Sequence, residues 1–423
     1  MRVYFLPWWF DKSRAIIEEL GVGSKNAPSI RLQTQSPGEV GKLESVTIHG
    51  SMWVDMVSAM HKEERFKSHA LNLKAGDWIE VRSREEVLAT LDQNGRLENL
   101  PFMPEMLQYC GRKFRVFKRA DKTCDYIQAW SIRRMKDAVH LEGVRCDGTG
   151  HDGCEAGCLI FWKEAWLNRT ENNNDVVPAE SLRRAAVSPG GGGLCTVGSL
   201  LAASHVKNLE GETVYTCQAT DVPKFTTYMS FWDPRQYIRD LRSGNLKSGL
   251  EGNSRGHRVL GLILAITRLL QASIIGFFNE VQERRGGNRY PFIEGTAEKT
   301  PLERLDLEPG ELVEVRSKDE IMATLDKSQR NRGLWFDSEM LPYCGGIYRV
   351  LRRVHRIIDE KTGKMVNMKN PCVVLEGVVC KSDFHRLCPR SIYPYWRENW
   401  LKRAVDISVA INTEQISEAS GRS

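Results

Sequence analysis

The chain has 423 residues, of which 41% are apolar and 27% charged, and its formal net charge is +6. That composition matches an ordinary soluble globular protein of about three domains and excludes a strongly basic nucleic-acid domain, although +6 still permits contact with phosphates. The apolar start MRVYFLPWWF is short and no small-residue cleavage site follows it, so a cytoplasmic chain with reduced or metal-bound cysteines is expected.

Residues 1–70 form a separate N-terminal helical region. Asp11 is placed to cap a short helix carrying Ile16, Ile17 and Leu20, and Ser51 precedes an amphipathic run of Met52, Met56 and Met60. From residue 71 the chain repeats itself. Residues 76–167 recur as 310–401 at a constant offset of 234, without insertion. EVRSREEVLATLD answers EVRSKDEIMATLD, PEMLQYCG answers SEMLPYCG, and WKEAWL answers WRENWL.

Each copy, 71–168 and 301–405, is large enough for its own small core. In each, a strand (Asp77–Arg82, Glu311–Arg316) leads into a helix with a capping box, Ser83/Glu86 and Ser317/Glu320. Strand-like segments Arg115–Arg119 and Arg349–Arg353 come next, and the second copy shows a hairpin turn at Asp359–Gly363. A third strand is expected over Val139–Cys146 and Val373–Cys380, then a terminal helix whose tryptophans (Trp162/Trp166, Trp396/Trp400) share one face. The fold class expected is α+β: two tandem small β-barrels of SH3-like type with capping helices, plus a helical middle region.

Between the copies, 169–194 reads as a flexible linker containing Asn172–Asp175 and the glycines at 190–193. The middle region, 195–300, holds a strand at Glu212–Thr220 and a helix started by Asp233-Pro234. A long apolar segment, 259–278, closes it. Arg268 and Gln271 near the segment's centre oppose a membrane span and favour a buried or interface helix, with a membrane-surface helix as the second choice. Residues 406–423 form a polar tail.

The sharpest chemical signal is CDGTGHDGCEAGC. Cys146, His151, Cys154 and Cys158 lie within thirteen residues separated by glycines, at spacings that tetrahedral zinc sites use. The second copy keeps Cys380, His385 and Cys388 but has Ile392 for Cys158. Cys124, at the edge of a strand meander, is the expected companion of Cys146, with His151 in reserve. In copy two, His385 is joined by Cys344 or His355. Zinc is the expected ion, with an iron–sulfur cluster as the alternative for four thiols. A catalytic metal would leave one position open.

The first strand of each copy is basic, with Arg115, Lys118, Arg119, Arg349, Arg352 and Arg353 as candidate nucleic-acid contacts beside Phe114, Phe117 and Tyr348. Interleaved acids favour a solvated face instead. Phosphate-loop, G-x-S-x-G, H-E-x-x-H and dinucleotide signatures are all missing from the sequence.

The elements PEMLQYCG, KTCD, CDGTGHDGC and PRSIYPYWRENWL resemble an uncharacterised bacterial family often encoded among genes for surface polysaccharide or secondary-metabolite synthesis. The resemblance covers both repeats and part of the middle, brings no activity with it, and departs at Asp121, where His is expected. The function expected is a metal-stabilised binding or scaffolding protein with a protein partner. A metal-dependent enzyme of such a pathway and a nucleic-acid binder are the alternatives.

Overall fold

The computed structural model describes residues 30–34 and 44–48 by backbone, and 71–127, 131–170, 195–246 and 255–404. The expected N-terminal helices, the glycine-rich linker segment and the tail lie outside the described residues. The chain forms two units, 1–68 and 69–423. Within the first, β1 (Ile30–Thr34) and β2 (Glu44–Ile48) form an antiparallel hairpin.

The second unit mixes helix and sheet. Its first sheet is built from β3 (Trp78–Val81), β4 (Lys113–Arg119), β7 (Ala138–Leu141), β8 (Trp162–Lys163) and β9 (Leu167–Arg169). Helix α1 (Arg84–Ala89) follows β3. Strands β5 (Lys122–Asp125) and β6 (Ser131–Arg134) form a side hairpin between β4 and β7. The strand order is β8-β7-β4-β3-β9. The middle region supplies α2 (Arg235–Arg242) and α3 (Arg255–Arg285).

The second copy follows suit. Its elements are β10 (Leu312–Val315), α4 (Lys318–Met322), β11 (Ile347–Arg353), the hairpin β12 (Arg356–Ile358) and β13 (Met365–Asn367), β14 (Cys372–Leu375), β15 (Trp396–Arg397) and β16 (Leu401–Arg403). Its sheet runs β15-β14-β11-β10-β16. Pairings correspond residue for residue: Trp78↔Arg115 with Leu312↔Arg349, and Leu167↔Val81 with Leu401↔Val315. Even the bulge recurs, at Val116/Lys118 and at Val350/Arg352.

Both capping boxes are made, with Ser83 and Ser317 accepting from the backbone of Glu86 and Glu320. Two expectations are corrected. Neither sheet closes into a barrel, because the edge strands are only two or three residues long and make no ladder with each other. The tryptophan segment is not a helix. It is a strand, a single 3₁₀ turn (Glu164–Trp166, Glu398–Trp400) and a second strand. That path returns both indoles to the core, where Phe102 meets Trp162 and Trp166 edge-on, and Phe336 meets Trp396 and Trp400. All four tryptophans are fully buried. The third strand also stops early, at Leu141 and Leu375, and a turn then leads into the cysteine loop.

A buried carboxylate ties each 3₁₀ turn to the segment entering its repeat. Glu164 accepts from the backbone of Asn72 and Leu73 and pairs with Arg119 at 2.6 Å. Glu398 accepts from Leu305, Asp306 and Leu307 and pairs with Arg353 at 3.4 Å.

The middle region is anchored through Asp240 on α2, whose carboxylate meets Lys122 of β5 at 2.5 Å, both side chains being buried. Burial raises the Asp240 carboxyl to about 6, with Lys122 opposing the rise. An acid weaker in the fold than in the unfolded chain (about 3.9) holds its proton more tightly when folded. Its contribution therefore favours folding below about pH 4 and is lost as the pH climbs towards 6, by on the order of 3 kcal/mol. Asp240→Asn is expected to flatten the slope of urea stability between those pH values, while lowering stability throughout by leaving Lys122 unpaired. An unchanged slope would remove Asp240 as its source.

Helix α3 packs one stripe inward: Ala265, Leu269, Ala272, Ile275 and Asn279. Arg268 lies beside that stripe and bonds to Asp383 at 2.8 Å and to the Lys381 carbonyl at 2.6 Å. The rest of its apolar surface is exposed.

Candidate metal centres

In the first repeat, Glu105 sits on the 3₁₀ turn Pro104–Tyr109, Cys146 follows the end of β7, and His151 ends a second 3₁₀ turn. The loop folds back because Cys146 N–H donates to the Cys158 carbonyl at 2.8 Å. Gly148, at φ +74°, lets the chain pass so close to Cys154 that a Cβ would stand 2.1 Å from its carbonyl oxygen. The second repeat builds the same bend with Ser382 at φ 62°.

These folds bring together Glu105, Cys146 and His151, and at the same offset Glu339, Cys380 and His385. In each trio one ligand atom per residue lies within 4.8 Å of the others. Cys146 Sγ donates to Glu105 Oε1 at 2.9 Å, and His151 Nδ1 lies 3.1 Å from the same oxygen. In the second trio His385 Nδ1 is 3.6 Å from Cys380 Sγ. Each imidazole turns Nδ1 to the trio and Nε2 to an outer acceptor, the Thr216 carbonyl at 3.0 Å for His151 and Asp337 at 3.4 Å for His385. An acceptor at Nε2 favours the tautomer whose Nδ1 lone pair points to the trio, the outer-sphere arrangement common at metal-bound histidines.

The electrostatics point the same way. Glu105 Oε2 and Glu339 Oε2 are buried without a hydrogen-bond partner. Burial, reinforced by Glu105 and Cys158, pushes the Cys146 thiol up, and burial with Glu339 and Asp337 pushes Cys380 well up. Burial also raises the Glu339 carboxyl. For His151 burial opposes the imidazolium, but the Glu105 carboxylate outweighs it and the group is raised. Each site therefore gathers two anion-forming groups whose nearest counterweight is the trio's own imidazole, and a bound cation would reverse the cost of ionising both thiol and carboxylate. Both trios can hold a metal ion.

The remaining sequence candidates lie elsewhere. Cys124 is not beside Cys146: hairpin β5–β6 projects onto the other repeat, where Cys124 Sγ stands 3.3 Å from Cys388 Sγ and Cys124 N–H donates to that sulfur at 3.1 Å. The equivalent contact is Ile358 N–H to Cys154 Sγ at 3.3 Å. Each cysteine loop thus grips the other repeat's hairpin. Glu155 reinforces one side by accepting from the Arg356 amide, whereas Arg390 pairs with Glu360 at 2.6 Å within the second repeat, between its own loop and its own hairpin. Of Cys124 and Cys388, Cys388 is the lowered thiol: burial opposes ionisation, but hydrogen bonds from Cys124 and the Arg390 amide outweigh it. Cys158 is raised to about 11 by burial. Cys344 packs against the second core, away from its trio.

Each of the six basic candidates has a partner within the molecule, although Arg115 and Arg349 remain exposed. Arg115 and Arg349 donate to the carbonyls of Gly76 and Gly310, and Arg119 and Arg353 serve Glu164 and Glu398. Lys118 reaches Ser391 and Arg352 the Glu155 carbonyl, both between repeats.

The sequence reading missed Glu105 and Glu339 as ligands. The signal was present in the Glu shared by PEMLQYCG and SEMLPYCG, but carboxylates are common and this one precedes its cysteine by 41 residues. No family model, curated protein or solved structure matches the chain.

Proposed function

We propose that the protein is a zinc-supported, non-enzymatic scaffold, cytoplasmic and built to present a protein-binding surface, whose two metals lock two SH3-like repeats against each other. The observation that carries this reading is the recurrence of one buried Glu–Cys–His trio at equivalent positions, on the loops that grip the opposite hairpins. Sulfur, nitrogen and one carboxylate oxygen suit zinc better than a hard cation, and among the described residues each cluster holds a single thiol, where an iron–sulfur cluster would need four. The single 3₁₀ turn that carries the chain from one sheet edge to the other supports the SH3-like description. His151 and Glu105 are almost wholly buried, which leaves little room for a substrate.

One observation favours a second reading, a metal-dependent enzyme of a polysaccharide or secondary-metabolite pathway. At the second centre the histidine is the more open, with the His385 side chain 12% exposed against 1% for His151, while Glu339 is as deeply buried as Glu105. The nucleic-acid reading weakens because four of its six basic side chains, Lys118, Arg119, Arg352 and Arg353, are engaged in part-buried contacts.

Cobalt(II) substituted for zinc separates the two. Three ligand residues close a tetrahedral site only if a fourth donor joins them, for which the unpartnered second carboxylate oxygens of Glu105 and Glu339 are placed. A structural pair closed in this way is expected to give visible absorption bands that added azide leaves unchanged. Azide-sensitive bands that vanish in His385→Ala would establish an open coordination position at the second centre and overturn the scaffold reading.

A further inference from the structure

Helix α3 spans 31 residues, about 46 Å at the usual rise. From Val259 to Phe278 its only charged residue is Arg268. That guanidinium is turned into the molecule, onto Asp383 and the Lys381 carbonyl. What faces outward is apolar over a wide arc, including Leu262, Ile263, Ile266, Leu270, Ile274 and Phe277, with Leu262 56% exposed. A contiguous apolar face of this length on a soluble molecule marks an interaction surface.

The occupant is indicated by what borders the face. Trp232, 54% exposed, stacks edge-on against Phe277 at 5.8 Å, and exposed Phe292 stacks on Phe278 at 6.0 Å. Aromatic side chains at the rim of an apolar surface are those favoured at the headgroup level of a bilayer. Cationic side chains lie just beyond: Arg285 and Arg284 end α3, the latter paired with Glu280 and with exposed Glu283 beside it, Arg289 follows, and Arg242, exposed, ends the adjoining α2. An apolar band edged by aromatics and then arginines complements an anionic lipid leaflet. A partner helix would instead be matched by polar groups that set a register, and the outward face between Val259 and Phe278 carries no charge to supply them.

The helix is long and apolar enough to cross a membrane. Its midpoint, however, is fastened through Arg268 to the polar loop of the second repeat, which would have to enter hydrocarbon with it. We infer that α3 lies in the plane of an anionic membrane surface with its outward face among the acyl chains, making the protein a peripheral membrane scaffold.

The test is flotation of the full-length protein with phosphatidylcholine vesicles, with and without phosphatidylglycerol. Wild type is expected to float with the anionic vesicles and to be partly released by salt. The variant Leu262→Glu/Ile266→Glu, altered only at exposed positions, is expected to lose bound fraction by about tenfold or more. Its metal content, read in parallel, should equal that of wild type, so failure here is distinguishable from failure of the zinc reading. Absence of flotation with either vesicle, or equal flotation of the variant, would overturn the inference. So would a concentration-dependent dimer in sedimentation that the variant dissolves, which would assign the face to a second copy of the chain.

Discussion

Glu398→Ala is expected to lower unfolding free energy by about 3–5 kcal/mol, the cost of breaking a buried ion pair from one side. The carboxylate accepts three backbone N–H groups, from Leu305, Asp306 and Leu307, and faces Arg353. Alanine leaves those three donors inside the fold with no acceptor, each adding its own desolvation cost, and takes the buried carboxylate from Arg353, which keeps the Leu307 carbonyl and the more distant Glu308. Glu164→Ala should cost a similar amount, because Asn72, Leu73 and Arg119 stand in the same relation to it. Glutamine at either position keeps the shape and one acceptor oxygen, so its effect should be smaller. Urea midpoints for the four variants check this. Changes below about 1 kcal/mol for both alanine variants would show that the entry segments are held by something else.

The parts of the structure visible in the sequence are those governed by local or repeated pattern. The offset of 234 implied two equivalent sheets, and the paired sheets have matching order and register. The capping boxes at Ser83 and Ser317 were legible because the N-cap and its partner are three residues apart. The same logic misled at Trp162 and Trp166. A spacing of four suggests one helical face, but strand, 3₁₀ turn and strand also return two side chains to one core, and no propensity term distinguishes the two paths.

For the site, Cys146, His151, Cys380 and His385 stood out through glycine-rich spacing within a single loop. Glu105 and Glu339 did not, because their approach depends on a turn from another part of the repeat. Cys124 was assigned to its own repeat since a meander brings strand ends together, yet its neighbour is Cys388, 264 positions away. A contact of that separation is set by how the repeats dock, which no local pattern encodes. For Lys118 and Arg352, which looked available in sequence, the same reason holds: their acceptors, the Ser391 hydroxyl and the Glu155 carbonyl, belong to the other repeat.

The account rests on the paired trios being metal centres. The structure of each cysteine loop depends on groups that repel when ionised and are buried when neutral, so loss of the ion should loosen the loop's grip on the opposite hairpin. Structural zinc sites of small domains contribute roughly 10–16 kcal/mol of apparent binding free energy, which makes ligand loss the other large effect expected here. Cys146→Ser should empty the first centre and leave the second filled, and Cys380→Ser should do the reverse, each with a clear drop in urea midpoint. The most direct measurement is the metal-to-protein ratio of the purified full-length chain by elemental mass spectrometry, alongside both variants. The account predicts one zinc for each trio in the wild type and the loss of one zinc in each serine variant. A wild-type protein that is folded and free of metal, or a ratio that neither substitution changes, would contradict it.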